Sequence, residues 1–440
     1  MREPKYMQLA DMIAKTILDG TLAPGSKMPT HRAFAEKFDI AVATATRIYK
    51  ELERRGVVIG EAGRGTFVRD TGVPPTLGVH QTEQSDQIDL VFNMPGGAGD
   101  SDLLRHGLRR LAASGDLEAL LRYQPHSGRP HERRIIADHL TPTLGAINPD
   151  RLLITSGGQH GLAITALGLL QQGDVVATDA LTYPGFKSVA VMHRLDLVPI
   201  KGMHGVMDPD DLDKRCRSRK IRAVYLMPTV QNPLGSVMDM QTRDRIVDVA
   251  RKHNLMIIED AAYAFLEPDP PPTLIQLAPE RTVYIGGFSK SLATGLRLGY
   301  VVAPDENVEK LIEATRATTW NAPALISSLV TGWIKDGTLE KSENRRRIDG
   351  AKRQEVCQIA LDGLPIIAHP NAGFAWLPLQ EGSRASPVVA RLKAKGISIS
   401  GAEAFATTTA IPQALRLAFG GLAPTELESS IKAVRDAVRA

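Results

Sequence analysis

At 440 residues the chain is long enough for two or three domains, and its 43% apolar and 23% charged content describes an ordinary globular protein rather than a disordered or fibrous one. No apolar run reaches membrane-spanning length and the N-terminal MREPKYMQLA lacks the apolar core of a signal peptide. Cys216 and Cys357 offer neither a disulfide framework nor metal spacing, so the expected setting is a reducing cytoplasm. Of the 53 Lys and Arg and 49 Asp and Glu, residues 1–69 hold 12 and 8, leaving 41 of each, so only this end of the chain invites a polyanion.

Tyr6, Leu9, Ala10, Ile13 and Ile17 recur at helical spacing, and Gly20 stops them. Leu22 to Pro29 is a turn by composition, and Thr30 caps a second helix that buries Ala33, Phe34 and Phe38. After a break at Asp39-Ile40-Ala41 a third helix runs to Arg55, with Ala45, Ile48, Tyr49 and Leu52 inward. This is a helix-turn-helix whose last helix presents Thr44, Thr46, Arg47 and Lys50 to a major groove. Val57-Val58-Ile59 and Thr66-Phe67-Val68 then flank Glu61 to Gly65 as a two-stranded wing with Arg64 at its tip.

These residues, from Gly20-Thr21-Leu22-Ala23-Pro24-Gly25 through Leu52-Glu53-Arg54-Arg55-Gly56 to Gly63-Arg64-Gly65-Thr66-Phe67-Val68, resemble the winged-helix domain of GntR-type bacterial transcription regulators. The resemblance implies a double-stranded DNA operator as partner, contacted by Arg32, Thr44, Thr46, Arg47, Lys50 and Arg64 of domain 1–69. Ala41-Val42 stands where that family usually has Ser-Arg, which removes one base or phosphate contact. Residues 70–89, rich in proline, glycine and polar residues without apolar period, form a linker that reaches at most ~60 Å.

From Leu90 onward the pattern is that of an α/β domain to residue 440. Tyr123-Gln124-Pro125-His126-Ser127-Gly128 is a turn before an amphipathic helix. Arg151 to Thr155 is a strand, Ser156-Gly157-Gly158-Gln159 a tight turn, and His160 starts a helix, an arrangement that aims backbone N–H groups at an anion. Later strands lead to Tyr183-Pro184-Gly185, to Asn232-Pro233-Leu234-Gly235, to Asp260-Ala261-Ala262-Tyr263 and to Gly286 through Lys290, with Arg297 seven residues beyond. Each polar candidate lies just past the C-terminal end of a predicted strand, where open α/β sheets bind ligands. A lysine among small residues beside an arginine suits a Schiff base next to an anion clamp, and pyridoxal phosphate meets both demands. Asp260 suits a protonated ring nitrogen, Asn232 and Tyr263 a phenolate oxygen, and Tyr183 the ring face. The 11 His show no metal spacing, and no metal is assigned.

In this order, and with Leu415-Arg416-Leu417-Ala418-Phe419, the motifs resemble fold type I aminotransferases. What the resemblance implies is pyridoxal 5'-phosphate (PLP) held as an internal aldimine on Lys290, with Asp260 and Tyr263 beside it as catalytic groups. Arg297, Ser289 and the N–H groups of Gly157, Gly158 and Gln159 would grip the phosphate, and Arg416 the carboxylate of an amino acid. It further implies a homodimer in which Tyr123 reaches the partner's phosphate, a large subdomain of about residues 125–323, and a small one of about 90–124 plus 324–440. Gly158 and Gly287 stand where related enzymes often have serine. Head, linker and body together resemble MocR-type regulators of the GntR family, which implies a cytoplasmic transcription factor sensing PLP or an amino compound. The alternative is a PLP-dependent aminotransferase whose head is secondary.

Overall fold

The computed structural model describes residues 5–18, 21–22, 26–54, 56–61, 65–68, 87–94, 100–113 and 117–440. In the head, helices α1 (Lys5–Leu18), α2 (His31–Lys37) and α3 (Val42–Arg54) enclose Ala10, Ile13, Ile17, Phe34, Ile48 and Leu52, and strands β1 (Val58–Glu61) and β2 (Gly65–Val68) pair antiparallel against them. Thr30 caps α2 by accepting from the Ala33 amide at 3.2 Å. The inward face of α2 differs from the expected one. Phe34 and Ala35 are buried, Phe38 is only partly so, and Ala33 is exposed, with the Phe34 ring set edge-on against Tyr49 of α3. Tyr49 of α3 donates to the Pro29 carbonyl at 2.6 Å, locking the turn between the first two helices to the third.

The body begins earlier than the expected linker boundary, since β3 (Ile88–Asp89) already pairs parallel with a strand near the C-terminus, and residues 70–86 of the linker lie outside the described residues. The main sheet takes β4 (Leu152–Thr155), β5 (Val175–Asp179) and β6 (Asp196–Ile200). After a small hairpin, β7 (Gly202–Met203) and β8 (Val206–Met207), it continues with β9 (Ala223–Leu226), β10 (Met256–Asp260), β11 (Thr282–Gly287) and β12 (Gly299–Val302). Its order is β4-β12-β11-β10-β9-β5-β6, with β12 antiparallel to both neighbours and the other pairings parallel. Its central strands are buried along nearly their whole length, which is why they read as continuous apolar runs: helices cover both faces.

A second core is built from β13 (Phe374–Pro378), β14 (Ile397–Ser398), β15 (Ser400–Gly401) and β16 (Ala414–Ala418), packed against the second half of helix Thr338–Leu361 and the C-terminal helix Pro424–Arg439. The helix Asp100–Ala113 does not join this core. It lies on helix Ala324–Lys335, where a side chain on Gly107 would strike Leu329 and Trp333, and Trp333 shares a core with Ile136 and Tyr284 of the large unit. Head and body touch where the Arg384 guanidinium stacks 3.4 Å from the Phe67 ring centroid.

Candidate functional site

The loops that leave β4, β9, β10 and β11 converge with the segment Val91–Asn93 and with Arg416 of β16 on one cavity of about 390 Å³, within the range usual for small-molecule sites. Gly158, Gln159, Tyr183, Asn232, Asp260, Tyr263, Ser289, Lys290, Arg297 and Arg416 all line it. Gly157 stands directly behind, at φ 89°, where a side chain would meet Arg297 at 3.0 Å.

Each polar group is held by neighbours from other parts of the chain. Lys290 Nζ donates to the Asn93 carbonyl at 2.6 Å, and the Asn93 amide donates to the Tyr263 phenol oxygen at 3.3 Å. Burial alone would raise the Tyr263 phenol, but the positive charges of Lys290 and Arg416 bring it below its ordinary value. Asp260 is buried, and burial raises its carboxyl. The Tyr225 hydroxyl at 2.8 Å and the Ala262 amide at 3.0 Å, both donating to it, pull the other way. A positive partner would remove this penalty. Arg297 Nη1 donates to the Ser289 hydroxyl at 3.2 Å beside the start of helix α7 (Gly158–Leu169), which follows α4 (Asp100–Ala113), α5 (Glu118–Leu121) and α6 (Pro130–Leu144) along the chain. No side chain caps α7, so its first N–H groups and a guanidinium share one anion-binding corner.

In the head, Arg32, Arg47 and Lys50 are exposed and Thr44 is half-buried. The Thr46 hydroxyl is engaged inside the head, with His31 Nδ1 at 3.2 Å and the Val42 carbonyl at 3.0 Å, so it braces α3 against α2 rather than standing free. Arg64 lies outside the described residues. Tyr123 is 87% exposed and absent from its own chain's cavity; its ring lies 5.8 Å from that of Trp320.

Residues 85–434 match the family described as aminotransferase class I and II, and residues 5–68 match the bacterial regulatory proteins of the gntR family. The chain is 30% identical to the HTH-type transcriptional regulator YdeF of Bacillus subtilis over 415 residues, 93% of this chain and 89% of that one. This chain is a MocR-type regulator of the GntR family. It is also 24% identical over 441 residues to the HTH-type pyridoxine biosynthesis transcriptional regulator PdxR of Corynebacterium glutamicum, covering 98% of this chain and 95% of that one. Its fold matches the Pyrococcus horikoshii kynurenine aminotransferase with a TM-score of 0.75 at 24% identity, over 81% of this chain and 92% of that one. The MocR-type head is the DNA-binding module, and the body, of the fold type I aminotransferase class, binds PLP.

The residues present fit that cofactor. Asn232 Oδ1 and Gln159 Oε1 are buried without a partner in the protein, so the lining holds two acceptors that a ligand donor could satisfy, while the NH2 of Asn232 is the group that could donate to a ring oxygen. A side chain at Gly158 would find nothing closer than the Gly286 carbonyl at 4.0 Å, so the glycine leaves the corner before α7 open for a phosphate. At Gly287 the backbone crowds in, with the Leu298 carbonyl 3.1 Å from where a Cβ would sit, so a serine there would not fit without movement.

Three residues that shape this MocR-type site carry no local signal. Tyr225 looks like one more apolar strand residue, yet sheet order puts β9 beside β10 and its hydroxyl on Asp260, with its ring stacked 3.8 Å from Phe186. Arg243, 0% exposed, sends Nε to the Met238 carbonyl, Nη1 to those of Pro271 and Pro272, and Nη2 to Pro228 and Thr229, tying down the loop that carries Asn232. Asn93, which anchors Lys290, lies 197 positions away from it.

Proposed function

We propose that this protein is a transcription regulator that reports the state of its PLP site to DNA through its winged head, acting in the cytoplasm as a homodimer. The observation that carries the reading is one cavity in which Lys290, Asp260, Arg297 and a buried Arg416 meet, behind a head that leaves Arg32, Arg47 and Lys50 exposed.

PLP supplies a reactive aldehyde and an electron-withdrawing ring. Lys290 supplies the amine for that aldehyde, and the Asn93 carbonyl orients its Nζ. Asp260 holds the proton of the ring nitrogen, Asn232 and Tyr263 hold the ring oxygen, and Tyr183 covers the ring. Arg297, Ser289 and the amides of Gly157, Gly158 and Gln159 hold the phosphate. Arg416 takes the carboxylate of an arriving amino compound. The exposed Tyr123, Leu121 and Trp320 support a second copy closing over this face, with Tyr123 reaching the partner's phosphate. Two heads on one dimer then read two half-sites. The Arg384–Phe67 contact supports a route by which a change in the body is felt by the head.

The test uses the full-length protein and DNA fragments selected for affinity in vitro. With PLP added, a visible chromophore forms and Lys290→Ala lacks it. Ligands that change the chromophore change DNA affinity, and an Arg47→Ala/Lys50→Ala double variant keeps the chromophore and loses DNA. DNA affinity that ignores every change at the chromophore defeats the regulator reading. Steady release of an oxo acid under the same conditions favours the aminotransferase one.

A further inference from the structure

The cofactor reading above sets a phosphate at the start of α7, and the inference drawn here rests on it. A helix start is commonly closed by a Glu or Gln at its third position, whose side chain reaches back to an amide ahead of the helix. The third residue of α7 is His160, and the first turn holds no acidic side chain. The imidazole takes over that closing contact. Its Nδ1 accepts from the Ser156 amide at 3.1 Å, on the turn that carries Gly157 and Gly158. On its other side Nε2 lies 2.9 Å from the Thr318 hydroxyl, at the end of helix Asp305–Thr318. That hydroxyl gives its own proton to the carbonyls of Ala314 at 2.9 Å and Thr315 at 3.2 Å, so toward His160 it can only accept. The two contacts fix one tautomer, with the proton on Nε2 and the lone pair of Nδ1 turned to the loop.

Burial pushes the imidazole below its ordinary value, and the three residues whose polar atoms it meets, Ser156, Thr318 and Thr319, carry no charge. Its neutrality suits the place. The amides at the start of α7 have no side-chain cap, and Arg297 lies over Gly157, so this corner favours an anion. A carboxylate at position 160 would close the turn equally well, but it would set a negative charge within one helical turn of a phosphate. A protonated imidazole would aim a donor at the donor of Ser156. An uncharged acceptor closes the turn and leaves the corner positive. We propose that His160 is a positioning residue of the phosphate site: as a neutral acceptor it fixes the turn 156–159 against the end of helix Asp305–Thr318, without the charge that would repel the phosphate.

The experiment compares His160→Gln, His160→Glu and His160→Ala in the full-length protein. PLP affinity is read by titrating the visible chromophore, and the thermal midpoint is taken without cofactor. Gln and Glu have the same shape and can each accept from the Ser156 amide, so they differ in charge alone. His160→Gln should bind PLP within about threefold of the parent, and His160→Ala, which loses the acceptor, about three- to tenfold more weakly. His160→Glu should bind PLP at least about tenfold more weakly than His160→Gln, although its cofactor-free midpoint is no lower, because an acid is favoured at a helix start. Pyridoxal, which lacks the phosphate, should separate the Gln and Glu variants by less than about threefold. A residue that serves only the stability of α7 requires Glu to match or exceed Gln for PLP, and that result overturns the proposal. So does a His160→Gln protein as weak as His160→Ala, or a Glu variant that loses pyridoxal as strongly as PLP. In each of these cases the parent still shows its Lys290-dependent chromophore, and the cofactor reading stands. A parent that forms no chromophore with PLP overturns the cofactor reading itself, and this inference with it.

Discussion

In the head, Arg32, Arg47 and Lys50 stand in solvent on a small helical core, whereas in the body Arg416 and Arg243 are as buried as the leucines near them. The head's cations stay exposed to water, which suits a long polyanion whose binding is driven by counterion release and weakened by salt. The body's cations are already stripped of water and fixed by carbonyls and rings, so their cost is met during folding; of the two, only Arg416 lines the cavity, where it suits the small anion proposed above. One residue type thus does two jobs according to how much solvent it keeps.

Five variants test that contrast. The largest effect belongs to Arg243→Met, which strands five acceptors and takes from the buried Glu259 the positive charge that offsets its burial. A loss of about 3–5 kcal/mol in denaturant unfolding of the body is expected, together with weaker PLP binding through the Asn232 loop. A loss below about 1 kcal/mol would show that this arginine is not the brace its hydrogen bonds suggest.

Next comes the head. Arg47→Ala with Lys50→Ala should weaken DNA binding and reduce the slope of log affinity against log salt by about 2, one for each phosphate no longer neutralised, with no effect on thermal stability. An unchanged slope would mean that α3 does not face the DNA backbone there.

Tyr225→Phe removes one hydrogen bond from Asp260, and about 1–3 kcal/mol of PLP affinity should go with it, read by titrating the chromophore. The sign with pH is also set. Burial already holds the Asp260 carboxyl above its ordinary value, and the Tyr225 hydroxyl opposes that rise. In cofactor-free protein the stability linked to Asp260 is therefore fully present below the ordinary carboxylate range and is lost as pH rises through the raised folded value. Tyr225→Phe raises that value further, so the variant should release PLP at a higher pH than the parent when acidified. Asp260→Asn should flatten the thermal midpoint of the cofactor-free protein against pH.

The smallest effect is at the junction. Arg384→Ala deletes a stacking interaction on Phe67 worth about 0.5–2 kcal/mol, and should leave the chromophore unchanged while altering how far a ligand in the body shifts DNA affinity. If ligand and DNA remain coupled to the same degree, the signal takes another path.

Much of both regions can be read from order along the chain. The helix-turn-helix and wing declare themselves through caps, turns and a helical apolar period, all local features within residues 5–68. Nine of the proposed site residues end or follow strands of the main sheet and meet in one cavity, because its parallel strands deliver their C-terminal ends to one edge, while Arg416 comes from the middle of β16 in the smaller sheet. The position of Thr46 on α3 suggests a DNA-facing residue, but its hydroxyl turns to His31, a choice made by the packing of α2 on α3.

By itself, then, the sequence determined the two domains, the kind of ligand each is made for, and the residues that end each strand, because turn chemistry, capping and glycine placement act over a few positions. Only the tertiary structure decided that Tyr225 supports Asp260, that Arg243 holds the Asn232 loop, that Asn93 orients Lys290, and that Arg416 is buried with its Nε unpartnered. The first three of these join residues that are 14 to 197 positions apart: strand order brings Tyr225 to Asp260, and the packing of helix and loop segments against the sheet brings the other two pairs together.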